Sequence, residues 1–67
     1  MTKTQKHMAE KLASRIMHDR RQEYADASSI YNLNPTETNL EFLIERAREY
    51  LEIADTLDRI TKWTVTQ

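Results

Sequence analysis

The chain contains no cysteine and no glycine, and its single proline is Pro35. Without cysteine, no disulfide can stabilise the fold, and the two histidines lack the neighbours of a structural zinc site. Without glycine, β-hairpin turns and phosphate-binding loops lose the residue that they normally need. No apolar run approaches the roughly 20 residues that span a membrane, and the first residues have no apolar signal core. We therefore expect no cofactor, no metal site, no membrane partner and a cytoplasmic location.

The residues that are present favour α-helix. Ala, Leu, Glu, Arg and Lys form helices well and are abundant in the 67-residue chain. Residues 1–34 carry six basic and four acidic side chains, whereas residues 35–67 carry four basic and seven acidic ones. Opposite charges on the two halves suit two helices folded against each other, and they do not suit a generally basic nucleic-acid binder. A chain this short usually needs a partner to complete its core.

Helix start signals predict an all-α fold consisting of one antiparallel helical hairpin. Thr2 and Gln5 have the spacing of a capping box at the start of the first helix. Asn34 and Pro35 are predicted as the N-cap and the first residue of the second helix. The expected bounds are helix one over about 3–32, a turn over 32–35, helix two over about 35–62 and a frayed tail over 63–67. A break of helix one near Ser28, which would give three helices, stays open.

The apolar pattern of helix two is too wide for one neighbouring helix. Its apolar residues recur in steps of three and four, as in a coiled coil: Leu40, Leu43, Ala47, Tyr50, Ala54 and Leu57. Further apolar residues widen the arc to roughly 200°: Ile44 and Leu51 on one flank, Phe42, Ile53 and Ile60 on the other. Because helix one covers only part of this arc, we expect two hairpins to pack as a homodimeric four-helix bundle.

The function expected from this architecture is protein binding without catalysis. A small domain with no pocket or catalytic motif has mostly surface to offer, so we predict a regulator, adaptor or inhibitor of a larger protein, of the kind that phages and plasmids encode as accessory proteins. The expected protein interface consists of apolar and aromatic residues of helix two and the tail: Phe42, Tyr50, Ile53, Leu57, Ile60 and Trp63.

A charge pair interrupts the apolar stripe of helix one. The stripe is formed by Met8, Ala9, Leu12, Ala13, Ile16, Tyr24, Ala27, Ile30 and Tyr31. Arg20 and Glu23 lie near its centre at i, i+3. In one interpretation they form a polar layer, in which Arg20 pairs with Glu23 or with an acid of helix two and fixes the alignment of the bundle. In the other they form a recognition pair at a partner interface. We favour the polar layer, since single polar layers are well attested in helical assemblies.

Cations follow the opposite face of helix one. The candidate nucleic-acid-binding residues are Lys3, His7, Lys11, Arg15, His18 and Arg21. A line of cations can track phosphates, although few aromatic residues stand nearby to stack on bases. RNA or DNA binding is therefore the alternative function.

The length, the hairpin plan and the opening letters MTK resemble the Rop-type plasmid RNA-binding proteins. Members of that family are short helical hairpins that dimerise into four-helix bundles, and an exposed face of their first helix contacts a pair of RNA loops. The resemblance implies RNA binding by helix one and transfers no individual residue role to this chain.

Neither catalysis nor metal binding is expected from the residue spacing. Ser14 and His18 are i, i+4 neighbours, but the pair lacks an orienting acid, an oxyanion hole and a pocket. His7 and Glu10 occur in the order HxxE without a second copy of the motif, which is a poor basis for a metal site.

Overall fold

The computed structural model describes residues 1–64, which form a single antiparallel hairpin of two α-helices. Helix α1 spans Lys3–Leu33 and helix α2 spans Glu37–Thr61. The hairpin is a rod whose Cα atoms extend over 52 × 14 × 11 Å. The predicted all-α hairpin is confirmed, and α1 runs unbroken through Ser28. Residues 65–67 of the predicted frayed tail lie outside the described residues.

The predicted capping box at the start of α1 is confirmed. The backbone N–H of Gln5 donates to the Thr2 hydroxyl over 3.2 Å, and the backbone N–H of Thr2 donates to the Gln5 side-chain oxygen over 2.9 Å. Each bond satisfies a donor that the helix itself leaves without an acceptor. The first turn of this long helix is therefore fixed by local sequence.

The prediction for the start of α2 is wrong by two residues. Thr36, not Asn34, is the N-cap, and its hydroxyl accepts the backbone N–H of Asn39 over 3.2 Å. Asn34 instead ends α1, where its N–H donates to the Ile30 carbonyl. Pro35 disfavours helical geometry in the residue before it, and Asn34, at φ −144° and ψ 84°, is the non-helical C-cap that follows Leu33. The Asn39 side-chain amide closes the turn by donating to the Asn34 carbonyl over 2.8 Å.

The two helices meet along coiled-coil lines with steps of three and four. The least exposed residues of α1 on this line are Lys6, Ala13, Met17, Arg20, Ala27 and Tyr31. Those of α2 are Asn39, Leu43, Arg46, Tyr50, Ile53, Leu57 and Ile60. Among the described residues only Ala13 and Ala27 are fully buried, at 5% and 0% exposure. The interior of the hairpin therefore consists of small side chains and the stems of large ones.

Both helices are rotated relative to the apolar faces that the sequence predicts. On α1, Leu12, Ile16 and Ile30 belong to the predicted stripe but are exposed, whereas Arg20, which the sequence also places within the stripe, lies on the contact line. On α2, Leu40 belongs to the predicted line and is also exposed. Ala13 and Ala27 of the same stripe are buried, and small side chains at such positions allow helix backbones to approach closely. Each helix thus packs with one part of its apolar arc and leaves another part open.

The hairpin exposes more surface than a compact monomer of its mass. Its solvent-accessible area is 5463 Å², against about 4,400 Å² from the usual scaling of area with mass. Twelve large apolar side chains are exposed within residues 1–64. The excess of about 1,000 Å² is comparable to the roughly 800 Å² that one partner buries in a standard protein interface.

Candidate functional site

Four charged residues join the two helices at the middle of the hairpin. Arg20 Nη1 contacts both carboxylate oxygens of Glu23, at 3.2 and 3.0 Å, and lies 3.8 Å from Glu49 Oε2. Arg46 Nη2 lies 3.2 Å from Glu49 Oε1, and Arg46 Nη1 lies 3.9 Å from Glu23 Oε2. We call these four residues the charge quartet. Each arginine contacts an acid of its own helix and an acid of the other helix, so the charges bridge the hairpin.

The surroundings of the charge quartet are half apolar. The Arg46 guanidinium lies 5.0 Å from the ring centroid of Phe42, within the range of a cation–π contact. Arg46 Nε and Glu49 Oε2 are shielded from solvent and make no hydrogen bond within the described chain. The hydrogen bond to Glu23, followed by the charge of Glu23, raises the pKa of the Arg20 guanidinium. Because this pKa is higher in the folded than in the unfolded state, the contribution of Arg20 is complete at neutral pH and is lost only in strong alkali.

The charge quartet also defines the two sides of the hairpin. Seven residues are close to two helical turns, so residues seven apart share a side. Glu23 and Glu49 lie together on one side, which we call the glutamate side. Ser14 precedes Glu23 by nine residues, which is two and a half helical turns, and therefore lies on the opposite side of α1. There it lines a surface depression together with His7 and Thr61, and we call this the histidine side.

An exposed apolar line of α1 lies on the glutamate side. Ile16 and Ile30 are seven residues before and after Glu23 and so share its side. We define the α1 apolar line as Leu12, Ile16, Ile30 and Leu33. Its most exposed members are Leu33, at 88%, and Leu12, at 56%. Three acids separate its two halves: Asp19, Glu23 and Asp26. The line therefore has apolar ends and an acidic centre.

A second exposed apolar line, on α2, lies on the histidine side. Ala47 and Ala54 precede Thr61 by fourteen and seven residues and share its side. We define the α2 apolar line as Leu40, Ile44, Ala47, Leu51 and Ala54, in steps of four and three. Leu51 is 66% exposed, and the two alanines are half-buried. The two apolar lines therefore face opposite sides of the hairpin.

The residues predicted as the protein interface fall into two groups in the structure, one half-buried between the helices and one exposed. Tyr50, Ile53, Leu57 and Ile60 are half-buried on the contact line between α1 and α2. Phe42 on the glutamate side and Trp63 at the end of the hairpin remain exposed, and the Trp63 carbonyl accepts the Lys6 ammonium over 3.0 Å. The sequence pattern predicts Ile44 and Leu51 only as one flank of the apolar arc of α2. The steps of four and three between them and Ala47 are the signal that they form a line of their own.

The predicted cationic face is solvent-exposed. Its six residues, Lys3, His7, Lys11, Arg15, His18 and Arg21, are all exposed, and no ion pair within residues 1–64 involves any of them. Four of them, His7, Lys11, Arg15 and His18, line one surface depression. At the end of α2, by contrast, Arg59 pairs with Asp55 at 3.0 Å, and Lys62, just after the helix, pairs with Asp58 at 2.9 Å.

Comparison with known proteins gives no relative from which a function can be transferred. No protein-family model, no curated protein and no solved structure matches the chain. Across residues 1–64, neither helix contains a segment long and apolar enough to cross a bilayer. The same residues contain no group of three or more histidine, cysteine, aspartate or glutamate side chains placed to hold a metal ion. The surfaces themselves are therefore the basis for a functional proposal.

Proposed function

We propose that the protein is a non-catalytic interaction module that regulates or adapts a larger protein and acts as a homodimer with a four-helix core. The observation that carries this proposal is the presence of two exposed apolar lines on opposite sides of one hairpin. Exposed apolar surface of this extent is typical of interaction sites on soluble proteins. One line suffices for a second copy of the chain, which leaves the other for a different protein.

The α1 apolar line fits a partner of complementary charge. Its residues, together with Asp19, Glu23 and Asp26, follow α1 in steps of three and four, which is the pattern that a neighbouring helix contacts. Asp19 and Asp26 form no ion pair within the described chain. An amphipathic helix with lysine or arginine between two apolar groups matches this surface in both shape and charge.

Designed peptides test this surface directly. We expect a labelled helical peptide with two apolar groups and central lysines to bind the protein in a fluorescence anisotropy titration. The same peptide with central glutamates is expected not to bind. The double variant Asp19→Lys with Asp26→Lys should reverse the preference, because it changes the sign of the charge between the two apolar halves.

A matched variant distinguishes the effect of the local charge on peptide binding from the effect of the net charge. Glu41→Lys with Asp55→Lys makes the same change in net charge on the exposed face of α2 and should bind the two peptides as the wild type does. Equal binding of both peptides by the wild type, or an unchanged preference in the Asp19 and Asp26 variant, would rule out the α1 apolar line as a basic-helix site.

Nucleic-acid binding is the second candidate function, and one observation favours it. The six cations of α1 are exposed and free of ion pairs within residues 1–64, so neutralising phosphates would break no existing ion pair of theirs. The net charge of −1 and the acidic α2 favour the protein-binding function over this one.

A labelled RNA stem-loop provides the test of the second candidate. If the cationic face binds RNA, Lys11→Glu with Arg21→Glu should abolish the binding, and rising salt should weaken it steeply. Arg48→Glu with Arg59→Glu makes the same charge change on α2 and serves as the control. Equal affinity of the two double variants would show that the cationic face is only a solvated surface.

A further inference from the structure

We infer that the α2 apolar line is the surface through which two copies of this chain pair, with their α2 helices antiparallel. This inference rests on the proposed homodimer and assigns its interface to Leu40, Ile44, Ala47, Leu51 and Ala54. None of the six residues that the sequence analysis assigned to the interface belongs to this line.

The α2 apolar line is complementary to itself. When two copies run antiparallel about a two-fold axis between Ile44 and Ala47, Ile44 of each copy lies opposite Ala47 of the other. Leu40 then lies opposite Leu51. At the centre, the large Ile44 opposite the small Ala47 lets the helices approach closely, and the Leu40–Leu51 pairs fill the space on either side. A closed two-fold pair of this kind uses the same patch on both copies.

The neighbouring surface of α1 leaves room for the second hairpin. Lys6 contacts Trp63, and Glu23 contacts Arg46, so residues whose numbers add to about 69 lie level across the hairpin. Ala25 therefore lies near the level of Ile44, and Ser28 follows one turn later. Small side chains on α1 at this level leave room for the second hairpin to contact both helices in a four-helix core, and Arg21, seven residues before Ser28, lies on the same side at the edge of that contact.

The α1 apolar line is excluded as the self-pairing surface by its charge. Antiparallel pairing of two copies of this line about its centre would bring Asp19 and Asp26, which form no ion pair within the described chain, against the same acids of the other copy. Like charges in a partly desolvated contact disfavour such pairing. Pairing the α1 apolar line of one copy with the α2 apolar line of the next would also leave a free line at each end, so it would build open chains rather than a closed dimer.

The excess exposed area of the hairpin is enough for a single interface between two copies. The hairpin exposes about 1,000 Å² more than a compact monomer of its mass, and a standard interface buries about 800 Å² on each partner. The two apolar lines lie on opposite sides, so pairing through α2 leaves the α1 apolar line accessible to a different protein.

Because the chain has no cysteine, single introduced cysteines report the interface directly. We expect Ala47→Cys to form a disulfide-linked dimer under mild oxidation, since Ala47 lies next to the two-fold axis. Thr56→Cys, on the glutamate side of the same helix, is the matched control and should stay largely unlinked. Equal crosslinking of the two variants, or faster crosslinking of Thr56→Cys, would overturn the assignment.

Light scattering during size-exclusion chromatography gives an independent test. The wild type should have twice the mass of one chain, and Ile44→Lys with Leu51→Lys should reduce it to one chain. Leu12→Lys with Leu33→Lys places the same charges on the α1 apolar line and should leave the dimer intact. If the α1 variant dissociates and the α2 variant does not, the dimer stands and this inference fails. A wild type that is monomeric at every concentration would overturn the proposed homodimer itself.

Discussion

Tyr24 of α1 and Tyr50 of α2 stack across the hairpin, with ring centroids 6.2 Å apart and ring planes 28° from parallel. The stack lies beside the charge quartet, and Tyr50 is half-buried on the contact line. In a hairpin whose only fully buried described residues are two alanines, this aromatic pair joins the helices through two large side chains that stay partly exposed.

The aromatic stack predicts a measurable coupling between the two tyrosines. In a double-mutant cycle with Tyr24→Ala and Tyr50→Ala, we expect the two losses of unfolding free energy to be non-additive by about 0.5–1.5 kcal/mol. Chemical denaturation followed by circular dichroism measures the four proteins of the cycle. Additive losses would show that the rings do not contribute through their mutual contact.

The charge quartet predicts that a positive charge at position 49 destabilises the fold. Glu49→Lys replaces a carboxylate that lies 3.2 Å from Arg46 and 3.8 Å from Arg20 with a third cation. We expect a loss of about 1–3 kcal/mol in unfolding free energy, because the site is partly shielded from solvent.

An exposed ion pair on α2 supplies the control for the Glu49 variant. Asp55→Lys breaks the contact with Arg59, whose side chain is largely exposed, and exposed pairs contribute about 0–1 kcal/mol. The comparison uses denaturant midpoints measured at matched salt. If the Glu49 and Asp55 variants lose equal stability, the charge quartet contributes no more than an ordinary surface pair.

The hydrogen bonds of the turn predict that alanine substitutions at the two candidate N-cap residues, Thr36 and Asn34, lower the unfolding free energy by different amounts. Thr36→Ala removes the hydroxyl that accepts the Asn39 N–H and should cost about 1 kcal/mol. Asn34→Ala keeps the carbonyl that accepts the Asn39 side chain, so its cost should be smaller. Thermal unfolding of the two variants measures the difference. A larger loss for Asn34→Ala would place the N-cap where the sequence analysis predicted it.

Local signals account for the elements of the fold that the sequence predicts correctly. Thr2 and Gln5 define the start of α1 because a capping box involves only four consecutive residues. The linker around Pro35 ends α1, since the residue before proline avoids helical geometry. The same linker offers two residues that cap helices well, Asn34 and Thr36, and composition does not distinguish them. In the structure it is the Thr36 hydroxyl that accepts the Asn39 N–H at the start of α2.

The candidate surfaces could be predicted only in part. The interruption of the apolar stripe by Arg20 and Glu23 is visible in the sequence, and the structure places Glu49 and Arg46 beside this pair. The second acid and the second arginine come from α2, so no pattern within α1 identifies them. The cationic face of α1 is likewise visible in the sequence, but only the structure shows that its charges are unpaired along the described chain.

The sequence alone determined that this protein is a helical hairpin, because helix propensity, capping and the proline linker act over a few residues each. The tertiary structure decided which part of each apolar arc packs against the other helix. An arc of roughly 200° is compatible with several rotations of a helix about its axis, and local energies barely differ between them. Close approach at Ala13 and Ala27, together with the charges that bridge the helices between these two alanines, selects one rotation. That rotation leaves the α1 and α2 apolar lines open on opposite sides of the hairpin.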